Sequence, residues 1–166
     1  MSLIHPPEWG NILRQRLPLF GHRNWIVVAD AAYPMQSNQG IETIVCGDSQ
    51  IEAARKVMEA IASSTHVRAN VYTDAELPYL REEDAPGIDL FRRQLAQLLQ
   101  QQPVRQIPHE EIIGKLDQAA SLFRILLVKT NMVLPYTSVF FELDCGYWSA
   151  DAEQRLRTAM QAANAR

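Results

Sequence analysis

Hydrophobic positions along the chain follow two patterns that alternate. Short, continuous apolar runs rich in β-branched residues are typical of strands buried on both faces of a sheet, and residues 25–29 and 123–128 have this pattern. Residues 139–143 are a third such run, and further strands are predicted at residues 41–46, 67–72 and 104–107. We expect the short 104–107 strand to lie at an edge of the sheet.

Longer segments between these runs repeat their apolar residues at helical spacing. Ser49 and Glu52 have the spacing of a capping box, which predicts a helix start. The apolar residues of this helix recur three or four positions apart: Ile51, Ala54, Val57, Met58 and Ile61. Further helices are predicted from Pro6 to about residue 16, at 88–101, at 108–119 and from Ser149 onward. The last of these contains small alanines that suit close packing.

Strands that alternate with helices over the whole length predict an α/β fold. A chain of 166 residues is one domain by size, so we expect residues 1–166 to form a single domain. Residues 73–87 contain Pro78, Pro86, Gly87 and several acids. This composition predicts a long loop, and the sequence leaves its role open.

Composition narrows the class of protein. The net charge is −3 and no basic stripe is present, which disfavours nucleic-acid binding because that needs clustered Lys and Arg. No apolar run is long enough to cross a bilayer, and the N-terminal residues lack the basic and apolar regions of a secretory signal. Cys46 and Cys145 match no zinc or disulfide framework, so reduced thiols and a cytoplasmic location are expected.

Four side chains that could hold or transfer a proton stand at the ends of predicted elements. His22 comes shortly before the most apolar strand, and Asp30 follows that strand directly. His109 begins the fourth predicted helix, and Tyr136 lies in the turn before the last strand. Taken singly, each has an ordinary structural explanation as a turn, a cap, an exposed helix end or a ring packed on the core.

The order of these residues resembles the D-ribose pyranase and L-fucose mutarotase family. In that family a Gly-His pair leads into a strand that ends in Asp-Ala and then Pro, and this chain has Gly21-His22 and Asp30-Ala31-Ala32-Tyr33-Pro34. A later helix there starts with His-Glu, and Pro-Tyr-Ala-Asn precedes the last strand. The matching segments here are His109-Glu110 and Pro135-Tyr136-Thr137-Ser138. The resemblance runs from about residue 13 to 145, and it implies a three-layer sandwich with a mostly parallel central sheet.

The resemblance implies an isomerase that interconverts anomers or ring forms of a ribose- or fucose-like monosaccharide, without cofactor or metal. One group must remove a proton from the anomeric hydroxyl while another protonates the ring oxygen. Histidine suits such transfers because its unperturbed pKa is about 6.5. We expect His22, Asp30 and Tyr136 to be catalytic, and His109 and Ser138 to bind the substrate.

The chain departs from the family pattern at three positions. Ser138 stands where most members have Asn, Ile113 where the ribose members often have Lys, and Met132 where the loop normally has Glu. The alternative function is therefore a non-catalytic sugar-binding or regulatory protein on the same scaffold. A nucleotide-binding domain is disfavoured because no glycine-rich loop follows strand 25–29.

Distance along the chain constrains any site that uses both His22 and Asp30. Eight fully extended steps at about 3.3 Å place their Cα atoms about 26 Å apart. Either the chain turns sharply at Gly21-His22, or the site is shared between subunits. The resemblance implies a homo-oligomer, a ring of the decamer type, with sites at subunit interfaces. We therefore expect His22 of one chain to meet Asp30, His109 or Tyr136 of a neighbour.

Overall fold

The structure is a computed structural model that describes residues 8–165. Its strands are β1 (Trp25–Ala29), β2 (Ile41–Val45), β3 (Val67–Asp74), β4 (Val104–Ile107), β5 (Ile125–Lys129) and β6 (Val139–Cys145). Its α-helices are α1 (Trp9–Arg16), α2 (Gln50–Ala62), α3 (Ile88–Leu98), α4 (His109–Ala120) and α5 (Ala150–Asn164). Within the described part of the chain, no helix is both long and apolar enough to cross a membrane.

The six strands form one sheet in the order β2-β5-β1-β6-β3-β4. Strand β6 runs antiparallel to both of its neighbours, β1 and β3, whereas all the other strand pairs are parallel. Five strands therefore point the same way, which confirms the prediction of a mostly parallel sheet. The short strand β4 lies at an edge, as its sequence predicts.

Helices cover both faces of the sheet. Helices α1, α2 and α3 bury Leu13, Val57 and Phe91 in the apolar cluster on one face. Helix α4 buries Ile112 and Leu116 in a second cluster on the opposite face. Because β1 lies at the centre of the sheet, all five of its residues are buried between these layers. The α/β sandwich of three layers that was predicted is confirmed.

Several elements differ from their predictions. Helix α3 ends at Leu98 and not at residue 101, β5 begins at Ile125 and not at residue 123, and β6 continues to Cys145. Strand β3 continues to Asp74, two residues beyond its predicted end, because Thr73 and Asp74 pair with β4. Helix α5 is capped by Ser149 as expected, but the predicted close packing of its alanines is wrong, since none of its residues is buried. Small residues permit close approach only where another element is present to approach. The predicted first-helix start at Pro6 lies outside the described residues, and α1 begins at Trp9.

The buried side chain of Gln50 ties together three strand ends at one edge of the sheet. Its Nε2 donates hydrogen bonds to the carbonyl oxygens of Val28 (2.9 Å) and Thr137 (2.8 Å). Its Oε1 accepts a hydrogen bond from Thr130 Oγ1 at 2.6 Å. Gln50 is only 1% exposed, so water cannot replace these bonds. The end of β1, the end of β5 and the start of β6 are thereby held in register.

We predict that Gln50→Leu lowers the free energy of unfolding by about 2–4 kcal/mol, because it removes the Gln50 donor from the buried carbonyls of Val28 and Thr137 and the acceptor from Thr130 Oγ1. Gln97→Leu is the matched control, since it makes the same chemical change at an exposed position of α3 and should cost less than about 0.5 kcal/mol. Urea unfolding measures both values. Equal values for the two variants would show that the Gln50 hydrogen bonds do not stabilise this edge.

Candidate functional site

Most of the residues singled out in the sequence lie at the end of the sheet where the parallel strands finish, which we call the carboxyl edge. The carboxyl ends of the parallel strands β1, β3 and β4 lie there, and so does the start of the antiparallel strand β6. Asp30 directly follows β1, and Asp74 is the last residue of β3. His109 comes two residues after β4, and Ser138 directly precedes β6. Ligands in α/β proteins bind at such carboxyl edges, because loops that leave the parallel strands converge there.

A pocket of about 460 Å³ opens at this edge. Its polar and aromatic lining consists of Asp30, Tyr33, Gln36, His109, Glu110 and Tyr136. A larger hollow of about 590 Å³ lies beside α2 and β3, but its only titratable lining residue is Arg68. Because acid and base groups converge in the first pocket and not in the second, the first is the candidate functional site.

Asp30 is held at the end of β1 by Ser138. The Ser138 hydroxyl lies 3.2 Å from Asp30 Oδ1, to which it can donate, and it accepts the Asp30 backbone N–H at 3.3 Å. Ser138 is 3% exposed and lies behind Asp30, outside the pocket lining. Its predicted contact with substrate therefore stays a prediction, while its contact with Asp30 fixes the direction of that carboxylate.

His109 and Tyr136 meet edge to face across the pocket. Their ring centroids are 5.7 Å apart and their planes are nearly perpendicular, at 86°. Tyr136 has a φ of 57°, in the left-handed region that residues other than glycine rarely adopt. Pro135 precedes it in the turn, and Tyr136 as a whole remains 39% exposed. Such strained backbone is typical of functional sites, where a turn aims a side chain at a ligand.

Two acids that the sequence reading did not single out hold His109 in place. Asp74 Oδ1 lies 3.0 Å from His109 Nδ1, and both carboxylate oxygens of Glu76 accept the His109 backbone N–H, at 3.0 and 3.1 Å. Both acids belong to the segment that was predicted to be loop. The signal that could have found them is their position at the end of a predicted strand, at a carboxyl edge that also receives Asp30.

Two titratable groups below the pocket are buried. Asp74 is fully buried, and this burial raises its pKa, with hydrogen bonding to His109 opposing the rise. Tyr33 lines the pocket with its hydroxyl buried, and burial together with nearby Asp117, Asp74 and Asp30 raises the pKa of this phenol. Tyr33 is therefore a neutral phenol at any physiological pH.

His22 lies at the opposite edge of the sheet from the pocket. Since Trp25 of β1 pairs with Glu142 of β6, Asp144 lies beyond the amino end of β1, and His22 Nδ1 contacts its Oδ1 at 2.9 Å. The chain does turn at Gly21, but this turn does not carry His22 to the pocket. One subunit thus brings Asp30, His109 and Tyr136 together and leaves His22 apart.

The surroundings of His22 orient its imidazole. Arg68 donates to Asp144 at 3.1 Å, and Arg23 donates to His22 Nε2 at 3.3 Å. Burial alone would raise the pKa of Asp144, but hydrogen bonds from Arg68, the Cys145 N–H and His22 lower it overall. The His22 side chain itself is mostly exposed, so it is accessible to a molecule that approaches this edge.

No group of three or more His, Cys, Asp or Glu side chains is placed to hold a metal ion within residues 8–165.

The sequence model of the RbsD / FucU transport protein family matches residues 11–145 of the chain. The chain belongs to this family. The match ends at the last residue of β6, so helix α5 follows the part shared with the family. No curated protein sequence matches the chain.

Solved structures of this family share the fold at low sequence identity. The structure of Bacillus subtilis RbsD complexed with D-ribose is 19% identical with a TM-score of 0.57, over 87% of this chain and 98% of that one. The fucose mutarotase from Streptococcus pneumoniae in complex with L-fucose is 18% identical, with a TM-score of 0.56 over 86% and 98% of the two chains. FucU from Bifidobacterium longum is 14% identical, with a TM-score of 0.55 over 87% and 98%.

Burial of Asp74 makes the stability of the protein depend on pH. Because its folded-state pKa lies above its unfolded value, its contribution is full below the unfolded pKa and is lost as the pH rises through the folded pKa. His109, Glu76 and Asp30 are the charged groups that share its surroundings.

We therefore expect the wild type to lose stability relative to Asp74→Asn as the pH rises above about 4, the usual pKa of an aspartate. Chemical denaturation at a series of pH values measures the difference, and Asp151→Asn on exposed α5 controls for the loss of one carboxylate. A difference that is constant with pH would contradict a raised pKa of the buried Asp74.

Proposed function

We propose that the protein is a sugar mutarotase or pyranase, an isomerase that interconverts anomers or ring forms of a ribose- or fucose-like monosaccharide. The observation that carries this proposal is the convergence of Asp30, His109 and Tyr136 on one pocket at the carboxyl edge of the sheet. Family membership and the sugar complexes of two structural neighbours support a monosaccharide as the ligand.

The reaction needs only proton transfers, and the pocket contains groups suited to them. A base takes the proton of the anomeric hydroxyl, the bond between the anomeric carbon and the ring oxygen breaks, and an acid protonates that oxygen. The open-chain carbonyl rotates, and the ring closes with the protons transferred in the reverse sense. Tyr136 donates or relays a proton, His109 binds a sugar hydroxyl, and the fixed Asp30 carboxylate accepts hydrogen bonds from others.

His22 of a neighbouring subunit takes part in these proton transfers. It lies at the far edge of its own sheet, largely exposed, with its imidazole held by Asp144 and Arg23. Assembly of a homo-oligomer, a ring of the decamer type, lays this edge of one subunit over the pocket of the next. A heterologous contact of this kind closes into a ring when the rotation between subunits allows it.

The second candidate is a sugar-binding or regulatory protein without catalysis. Ile113 favours it, because this apolar side chain lines the pocket at the position where ribose-type members of the family often have Lys. Loss of one cationic contact weakens recognition of sugar hydroxyls less than it weakens the stabilisation of charge that develops during ring opening. Both candidates bind a monosaccharide, and only the isomerase converts it.

Exchange NMR on the purified protein with ribose, fucose, galactose and related aldoses tests both candidates in one sample. We expect accelerated exchange between the anomers of one sugar. Tyr136→Phe should slow it about tenfold or more, because the variant keeps the ring and loses the hydroxyl. Tyr147→Phe makes the same change at an exposed residue outside the pocket and should have no effect.

Sugar binding without accelerated exchange would replace catalysis by the binding function. No response to any aldose would contradict both candidates.

A further inference from the structure

The carboxylate of Asp74 has an unusual environment for a residue outside the predicted site. Its exposure is 0%, and its Oδ1 lies 3.0 Å from His109 Nδ1. Its other oxygen, Oδ2, is buried with no hydrogen-bond partner among residues 8–165. Burial of a carboxylate that is only half satisfied is costly, so an acid retained at such a place needs a reason beyond stability.

The need to anchor helix α4 does not supply that reason. The backbone N–H of His109 at the start of α4 is already bound by both oxygens of Glu76. An acid at a helix start satisfies the free N–H and complements the helix dipole. Glu76 therefore performs the structural task, and the His109 imidazole is the one hydrogen-bond partner of the Asp74 side chain within the described residues.

We propose that Asp74 is a positioning residue that acts through His109, an inference that rests on the proposed sugar site. The buried carboxylate accepts the Nδ1–H of His109 and so keeps the Nδ1-protonated tautomer. The other ring nitrogen, Nε2, is then a hydrogen-bond acceptor on a residue that lines the pocket. A carboxylate bound to one nitrogen of a histidine fixes both the ring orientation and the tautomer.

This assignment gives His109 a defined role toward a sugar. An unprotonated Nε2 can accept a hydrogen bond, or a proton, from a sugar hydroxyl, whereas an Nε2–H can only donate. The edge-to-face contact with Tyr136 limits rotation of the imidazole from the other side. His109 is thus held by Asp74 from below and by the Tyr136 ring from beside.

The pH range of this arrangement depends on every charged group that faces Asp74. These groups are His109 on α4, Glu76 after β3 and Asp30 after β1, and the neutral phenol of Tyr33 is a fourth titratable group nearby. The two acids and the burial all raise the pKa of Asp74, while the hydrogen bond and the charge of His109 lower it. When Asp74 is protonated, it becomes the donor to Nδ1, and the Nε2 position of neutral His109 changes from acceptor to donor.

Nitrogen-15 NMR of the histidine side chains tests the tautomer directly and needs no enzymatic activity. The full chain is labelled at its histidines, and His109→Gln identifies the His109 signals. In the wild type at slightly alkaline pH we expect the Nδ1–H form to dominate. In Asp74→Leu, which fits an apolar side chain into a buried place, we expect the Nε2–H form to become the major one.

Thr73→Val is the matched control. Thr73 is also buried at the end of β3, at 2% exposure, and alternation along the strand points it to the opposite face of the sheet. This variant should leave the His109 spectrum unchanged. Unaltered Nδ1–H dominance in a folded Asp74→Leu protein would overturn the proposal.

Kinetics provide the second readout once an exchanging sugar is known. Asp74→Leu should lower kcat about ten- to a hundredfold with a smaller change in KM, because the imidazole is present but has the wrong tautomer. Asp74→Asn keeps an accepting oxygen and should retain part of the activity. A tautomer change without any aldose exchange in the wild type would refute the proposed isomerase and leave the role of Asp74 standing.

Discussion

The length of strand β1 is the constraint on which this account depends. Its five buried residues form a rigid segment of about 13 Å between their outer Cα atoms, which holds Asp30 at one edge of the sheet and His22 beyond the other. Neighbouring strands on both sides fix this separation, so no side-chain motion can close it. Any reaction that uses both groups on one monosaccharide requires a second subunit.

Three acidic side chains lie close together at the carboxyl edge, and hydrogen bonds offset their mutual repulsion. Asp30, Asp74 and Glu76 come from two strand ends, and each is held by a specific donor: Ser138, the His109 ring and the His109 backbone. Beside them, the buried amide of Gln50 binds the ends of β1 and β5 and the start of β6. The geometry of this edge therefore depends on several separate sets of hydrogen bonds, each of which fixes one strand end or one side chain.

Much of the fold could be predicted from the sequence, because periodicity reports burial directly. Continuous apolar runs predicted the central strands. The capping box at Ser49 predicted the start of α2, and the Ser49 side chain does accept the Glu52 N–H. The extension of β3 to Asp74 could not be predicted, because it depends on pairing with β4, far away in sequence. The exposure of α5 was missed for a similar reason, since alanine spacing does not reveal whether a neighbour exists.

The candidate site was predicted in part. Asp30, His109 and Tyr136 were singled out by position, and the structure brings them to one pocket. Asp74 and Glu76 were not, because their importance lies in contacts with a helix more than thirty residues later in the chain. Ser138 was expected to touch substrate, which stays a prediction, and the structure shows that its hydroxyl contacts Asp30. Single-residue patterns identify reactive groups more readily than the residues that orient them.

Subunit mixing tests the central claim, a site shared by two chains, most directly. His22→Ala and Asp30→Asn subunits are produced separately and then together with different tags, and aldose exchange is measured for each homo-oligomer and for the mixed oligomer. Both homo-oligomers should be inactive, and random mixing should restore about a quarter of the wild-type rate, because about a quarter of the interfaces then carry both intact groups. No recovery in a proven mixed oligomer would contradict the shared site.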